Sequence, residues 1–145
     1  MNINRTQQKS FLKKIEDVLW IIKGKTLAVL GVSFKPNTDD IRNSPAIYIV
    51  NSLINEGARV KIYDPKAMRK AKKIFRQKVT YCYSIESALK NAEAAVILTD
   101  WEEFKKVELK RIKRLMKHPI IFDGRNIFDP QRMILQGFRY ISIGR

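Results

Sequence analysis

Six short apolar runs recur along the chain, at residues 26–32, 58–63, 79–83, 94–99, 119–122 and 138–143. The segments between them carry apolar residues at helical spacing. This alternation predicts an α/β fold with a six-stranded parallel sheet covered by helices on both faces, because continuous apolar runs suit strands buried on two sides. The punctuation agrees. Ser44-Pro45 places a capping residue before a proline at the first helical position, and Gly57 can close that helix in a left-handed conformation. Ile47, Val50, Leu53 and Ile54 are its expected buried stripe. Asp100 and Glu103 have capping-box spacing with Asp as the cap, and Asp129-Pro130 repeats the cap-plus-proline signal with Gly137 as the stop.

Residues 1–23 stand apart. Phe11, Ile15, Val18, Leu19 and Ile22 share one face of a helix that precedes the first strand and belongs to no strand–helix unit. Two placements are open for it. It folds back on its own domain, or it is the tail of a long helix whose other half or partner lies outside this chain. In the second case its apolar face is the expected docking surface.

Length adds that 145 residues suit one domain able to bury roughly two-thirds of its unfolded surface. The single cysteine, Cys82, cannot pair within the chain, and neither a signal peptide nor a long apolar stretch is visible. The expectation is a soluble, cytoplasmic protein with no membrane partner. Charge is the one compositional extreme: 29 Lys and Arg against 14 Asp and Glu give a formal +15, which favours polyanions, anionic lipid or phosphorylated ligands without choosing among them.

The chemistry concentrates in "GVSFKPNTDDIRNSP", residues 31–45. A glycine leaving a strand toward a helix often marks a phosphate-binding turn, yet here the turn is a long loop carrying Lys35, Asp39, Asp40 and Arg42. A second unusual loop, Asp123-Gly124-Arg125-Asn126, leaves the fifth strand. Both fall at the carboxyl edge of the sheet, where ligands of open parallel sheets sit. Fixed cations and a helix N-terminus at one edge suit a diphosphate. Alternatively, Asp39, Asp40 and Arg42 pair within a solvated loop and Lys35 faces water.

The stretch Leu30-Gly31-Val32-Ser33-Phe34-Lys35-Pro36-Asn37-Thr38-Asp39-Asp40-Ile41-Arg42-Asn43-Ser44-Pro45, then Tyr63-Asp64-Pro65, then Asp123-Gly124-Arg125-Asn126, resembles the C-terminal domain of the UDP-glucose/GDP-mannose dehydrogenase family. The likeness runs from Gly24 to the end, and Asn4, Gln7 and the following helix resemble the end of that family's long central helix. The resemblance implies residues 1–23 as the end of a connecting helix and residues 24–145 as a Rossmann-like three-layer domain that closes over a nucleotide sugar. Carried over by position, Phe34 and Lys35 contact the nucleotide sugar, Arg125 its phosphate or sugar, and Arg42 the NAD side of the cleft. Asp39 and Asp40 fit as loop-ordering partners, since carboxylates facing a diphosphate would repel it. Family members oxidise a sugar alcohol twice to a carboxylate with NAD, as in UDP-glucose to UDP-glucuronate. The expected partners are a UDP-sugar or related nucleotide sugar, the N-terminal and central dehydrogenase domains, and a second copy in a homodimer.

This sequence contains no GxGxxG and nothing like the family's GFGGxCxPKD, so no residue here is expected to be catalytic and the chain alone is expected to be inactive. Cys82, between Tyr81 and Tyr83 with no neighbouring base, reads as core. His118 has no Cys, Asp or His at ligand spacing, so no metal is expected. Trp20 and Trp101 read as helix packing, and Asp64 as a strand-ending turn. Two alternatives remain: a stand-alone nucleotide-sugar module, and a nucleic-acid binder. For the latter, residues 66–78 hold seven basic and no acidic residues, and 105–117 seven more against Glu108. Met68, Ala71, Ile74 and Phe75 nevertheless make the first segment an ordinary amphipathic helix, and no nucleic-acid motif accompanies it, so no specific nucleic acid is expected.

Overall fold

A computed structural model describes residues 5–144; Asn4 lies outside them. Helix α1 (Arg5–Leu19) precedes strand β1 (Thr26–Leu30), and strands and helices then alternate. These are α2 (Pro45–Asn55), β2 (Arg59–Tyr63), α3 (Met68–Phe75), β3 (Thr80–Tyr81), α4 (Ile85–Leu89), β4 (Ala94–Ile97), α5 (Glu102–Lys105), α6 (Leu109–Leu115), β5 (Ile120–Asp123), α7 (Pro130–Leu135) and β6 (Arg139–Ser142). All neighbouring strands pair in parallel, in the order β3-β2-β1-β4-β5-β6, so the chain reverses direction of travel between β1 and β4. This is the six-stranded Rossmann-like sheet expected.

Strand pleating divides the core. Leu27 and Val29 of β1 point into a layer with α1, α2 and α3, whereas Ala28 and Leu30 point into one with α4, α6 and α7. Ser44 caps α2 by accepting from Ala46 N at 3.2 Å, with Pro45 in the first turn and Gly57 beyond the end at φ +90°. The buried stripe of α2 is Ala46, Ile49, Val50 and Leu53, and the expected Ile47 and Ile54 only flank it. Asp129 accepts from Arg132 N at 2.9 Å and caps α7 as expected.

Three expectations are corrected. The apolar face of α1 is not free to dock elsewhere: Phe11, Ile15, Leu19 and Ile22 are buried against this domain's own sheet. Trp20 packs nothing, being 87 % exposed, because it takes φ +65° immediately after α1 and turns its ring outward. Asp100 does not cap α5; that position is Trp101, with no side-chain cap bond. Cys82 is buried in the second layer, and among the described residues no helix is long and apolar enough to cross a membrane.

Candidate functional site

The loops that follow β1, β4 and β5 lie side by side at the carboxyl edge because these strands are neighbours in the sheet. Each is fastened by a buried polar side chain. Asp64, at the end of β2 and 1 % exposed, accepts four backbone N–H groups. Its Oδ2 takes Val32 N at 2.8 Å and Ser33 N at 2.9 Å, and its Oδ1 takes Lys66 N and Ala67 N, both at 2.9 Å. The turn expected from Tyr63-Asp64-Pro65 is therefore also a clamp on the first loop.

That clamp bears on cofactor fit. In a dinucleotide fold, backbone amides after the first strand face the pyrophosphate. Here the Val32 and Ser33 amides are spent on Asp64. A Cβ at Gly31, which sits at φ +91°, would lie 2.5 Å from Cβ and Oγ1 of Thr99, so the turn needs glycine and packs closely against the next loop.

Thr99 Oγ1 donates to Ser33 O at 2.8 Å, and Trp101 Nε1 donates to Ser33 Oγ at 3.2 Å. Ser33 is thus held from β2 on one side and from the β4 loop on the other. Phe34 and Lys35 follow immediately. Phe34 is half-buried and lines an open cleft of ≈ 250 Å³ with Asp40, Arg42 and Asn43. Lys35 is exposed, and no ion pair within the described residues involves it.

Arg42 is 87 % exposed and lies across the Asp40 carboxylate, with Nε and Nη2 each at 3.1 Å, while its backbone N also donates to Asp40 Oδ1. These hydrogen bonds hold the Asp40 carboxyl down at about 2 and push the Arg42 guanidinium up. Asp39 pairs with Lys70 of α3 at 3.1 Å. Both carboxylates therefore order the loop, and Arg42, already paired, is an intact ion pair at the cleft rather than a free cation.

Asp123 organises the third loop. Its Oδ1 accepts from Arg125 N, its Oδ2 from Ile127 N and Phe128 N, and the Tyr140 hydroxyl donates to the same oxygen. Asn126 then exchanges two hydrogen bonds with Ile143 of the last strand's continuation, at 2.8 and 3.0 Å. Arg125 projects from this frame, 16 % exposed, with Nη2 3.0 Å from Asp100 Oδ1. It does not line the Phe34 cleft. The edge thus brings Phe34 and Arg42 into one cleft, and sets Arg125 apart beyond the β4 loop.

Sequence reasoning missed Ser33, Thr99, Trp101 and the pairing of Asp100, all of which act across strands. A groove of ≈ 680 Å³ between α1 and α2 has Arg5 stacked 4.4 Å above Tyr48 and lies mostly away from these loops. Among the described residues no three His, Cys, Asp or Glu side chains gather as a metal site. Chemically the edge offers cations, aromatic surface and hydrogen-bonded backbone.

A family model described as the UDP-glucose/GDP-mannose dehydrogenase family, UDP binding domain, matches residues 28–130. The chain is 43 % identical over 142 residues to UDP-glucose 6-dehydrogenase TuaD of Bacillus subtilis (strain 168), covering 98 % of this chain and 31 % of that protein. Among solved structures it resembles a UDP-glucose dehydrogenase from Pyrobaculum islandicum, at TM-score 0.77 and 28 % identity over 94 % of this chain and 29 % of that one. A UDP-D-ManNAc dehydrogenase from Pyrococcus horikoshii gives TM-score 0.74 and 35 % identity over 95 % and 30 %. The chain therefore spans about a third of the length of the curated relatives it matches.

Proposed function

The chain belongs to the UDP-glucose/GDP-mannose dehydrogenase family as its UDP binding domain, and from that premise we propose that it binds a UDP-sugar for an NAD-dependent oxidation of UDP-glucose to UDP-glucuronate. Residues 1–23 are the end of the helix that links it to the rest of the enzyme, and residues 24–145 are the binding domain. The observation that carries this reading is the clamped loop: Ser33 is fixed from two strands, so the next residues, Phe34 and Lys35, are presented at the sheet edge with little left to order.

Lys35 meets the diphosphate as a free ammonium, Phe34 covers an apolar part of the ligand, and Arg125 contacts its phosphate or sugar. Arg42 faces the NAD side of the closed cleft. NAD itself supplies the hydride acceptor and is held mainly by the N-terminal domain of the assembled enzyme; the Val32 and Ser33 amides, already bonded to Asp64, support that division. The central domain supplies the nucleophile. Cys82, buried among apolar residues, cannot do so. The working partners are those two domains, with a second copy in a homodimer, and the setting is the cytoplasm.

Isotope-edited NMR of this chain titrated with UDP and UDP-glucose tests the reading. Shifts at Ser33–Lys35 and Gly124–Asn126 are expected, and Lys35→Ala should weaken binding by about 1.5–3 kcal/mol, the range for a lost charge-assisted hydrogen bond. Unchanged affinity in that variant would remove Lys35 from the site. NADH formation is expected only when separately produced N-terminal and central domains are added. Binding without turnover in that mixture would favour a stand-alone nucleotide-sugar module.

A further inference from the structure

Asp100 occupies an unexpected place for an acid. It stands between the two loops that carry the cations of the proposed site, where a carboxylate should repel a diphosphate. Its neighbours on either side are pinned: Thr99 and Trp101 are buried and both bonded to Ser33 of the β1 loop. The carboxylate between them points the other way, to Arg125 of the β5 loop at 3.0 Å. Three consecutive residues thus tie both ligand-bearing loops to one fixed post.

The contact is an ion pair without hydrogen-bond alignment, since Asp100 Oδ1 is buried and has no aligned donor. Its role is therefore electrostatic orientation of a side chain rather than construction of the loop, which Asp123 already holds through Arg125 N, Ile127 N and Phe128 N. A free arginine loses about 2 kcal/mol of rotamer entropy when it is fixed on a ligand. An arginine already held at 16 % exposure has met most of that cost before the ligand arrives.

We propose that Asp100 is a positioning residue of the nucleotide-sugar site, which orients Arg125 and fastens it to the same post that holds the Phe34-Lys35 loop. The inference rests on the proposed UDP-sugar site. It makes a prediction opposite in sign to simple electrostatics. Asp100→Asn keeps the shape and removes a negative charge beside an anion site, so a bystander carboxylate would give tighter UDP binding. A positioning residue gives weaker binding, by about three- to tenfold.

The test is the NMR titration of the full chain with UDP, applied to wild type, Asp100→Asn, Arg125→Gln and the double variant. Weaker binding in Asp100→Asn, with Arg125→Gln and the double variant binding alike, would support a role exercised through Arg125. The Arg125 Nε signal of the free chain should also broaden or average in Asp100→Asn. Equal or tighter UDP binding in Asp100→Asn would overturn the proposal, as would an equal loss in the Arg125→Gln background or an unchanged Nε signal. If wild type itself shows no shifts at either loop, the UDP-sugar reading fails and this inference with it; if wild type binds, only the inference is on trial.

Discussion

Replacing Asp64 by Asn should be among the most damaging isosteric changes in the molecule. The carboxylate is 1 % exposed and accepts four N–H groups at 2.8–2.9 Å, two on each oxygen. Asparagine offers one carbonyl oxygen, which can still serve one pair, but its NH2 group presents donors to the other pair. Two charge-assisted hydrogen bonds of about 1.5–3 kcal/mol each are lost. Local relaxation recovers part of this, which leaves an expected loss of about 3–5 kcal/mol. A domain of this length holds about 7–20 kcal/mol, so the variant still folds at 25 °C and can be measured. Urea unfolding followed by fluorescence would read the change directly, with a fall in melting temperature of about 10 °C alongside. Hydrogen exchange at Val32 and Ser33 should accelerate more than at the centre of β1, because the clamp acts on the loop. A loss below about 1 kcal/mol would refute the idea that these four bonds carry the crest of the sheet.

Gly31→Ala should destabilise by at least about 2 kcal/mol in the same unfolding assay, because a positive φ combines with a Cβ that would lie 2.5 Å from Thr99. Glu56 should make stability depend on pH near neutrality. Its carboxyl is pushed up to about 7, first by burial and then by the hydrogen bond to Glu16, so the folded state holds a proton that the unfolded chain releases near 4.5. The contribution is complete below about 4.5 and is lost as pH rises through about 7, and Glu56→Gln should flatten that slope. Because Glu56 is only slightly buried and keeps most of its surface in solvent, the effect should stay below about 1 kcal/mol. Finally, the basic face of α3 should bind DNA weakly, without sequence preference and with a steep loss on adding salt; a salt-tolerant, sequence-specific complex would contradict that expectation.

What could be read from the sequence divides by range. The caps at Ser44 and Asp129 were legible because each donor lies within three residues of its acceptor. The strands were legible because burial on two faces leaves nearly unbroken apolar runs, as in Leu27-Ala28-Val29-Leu30. Asp100 misled for the same reason in reverse: a local capping pattern with Glu103 was visible, while the Arg125 that takes its carboxylate lies in another loop. The turn at Asp64 is legible, but half of its donors, Val32 and Ser33, come from a neighbouring strand's loop and carry no mark of it in their side chains. Periodicity identified the apolar face of α1 without saying what would cover it. Of the proposed contact residues, Lys35 is in no ion pair among the described residues, whereas Arg42 and Arg125 have carboxylate partners that spacing could only hint at or could not show.

The seating of α1 has a mechanical consequence. Phe11, Leu12, Ile15 and Leu19 belong to the domain's interior, and Phe11 approaches the very Gly124 that opens the β5 loop, 3.4 Å from where a Cβ would stand. The short connection at Trp20–Lys25, with its two left-handed residues, Trp20 and Gly24, joins two parts of one packed core. Helix α1 reaches, through Phe11, the floor beneath the Arg125 loop, so a change in how the helix is seated is felt in the packing under that loop.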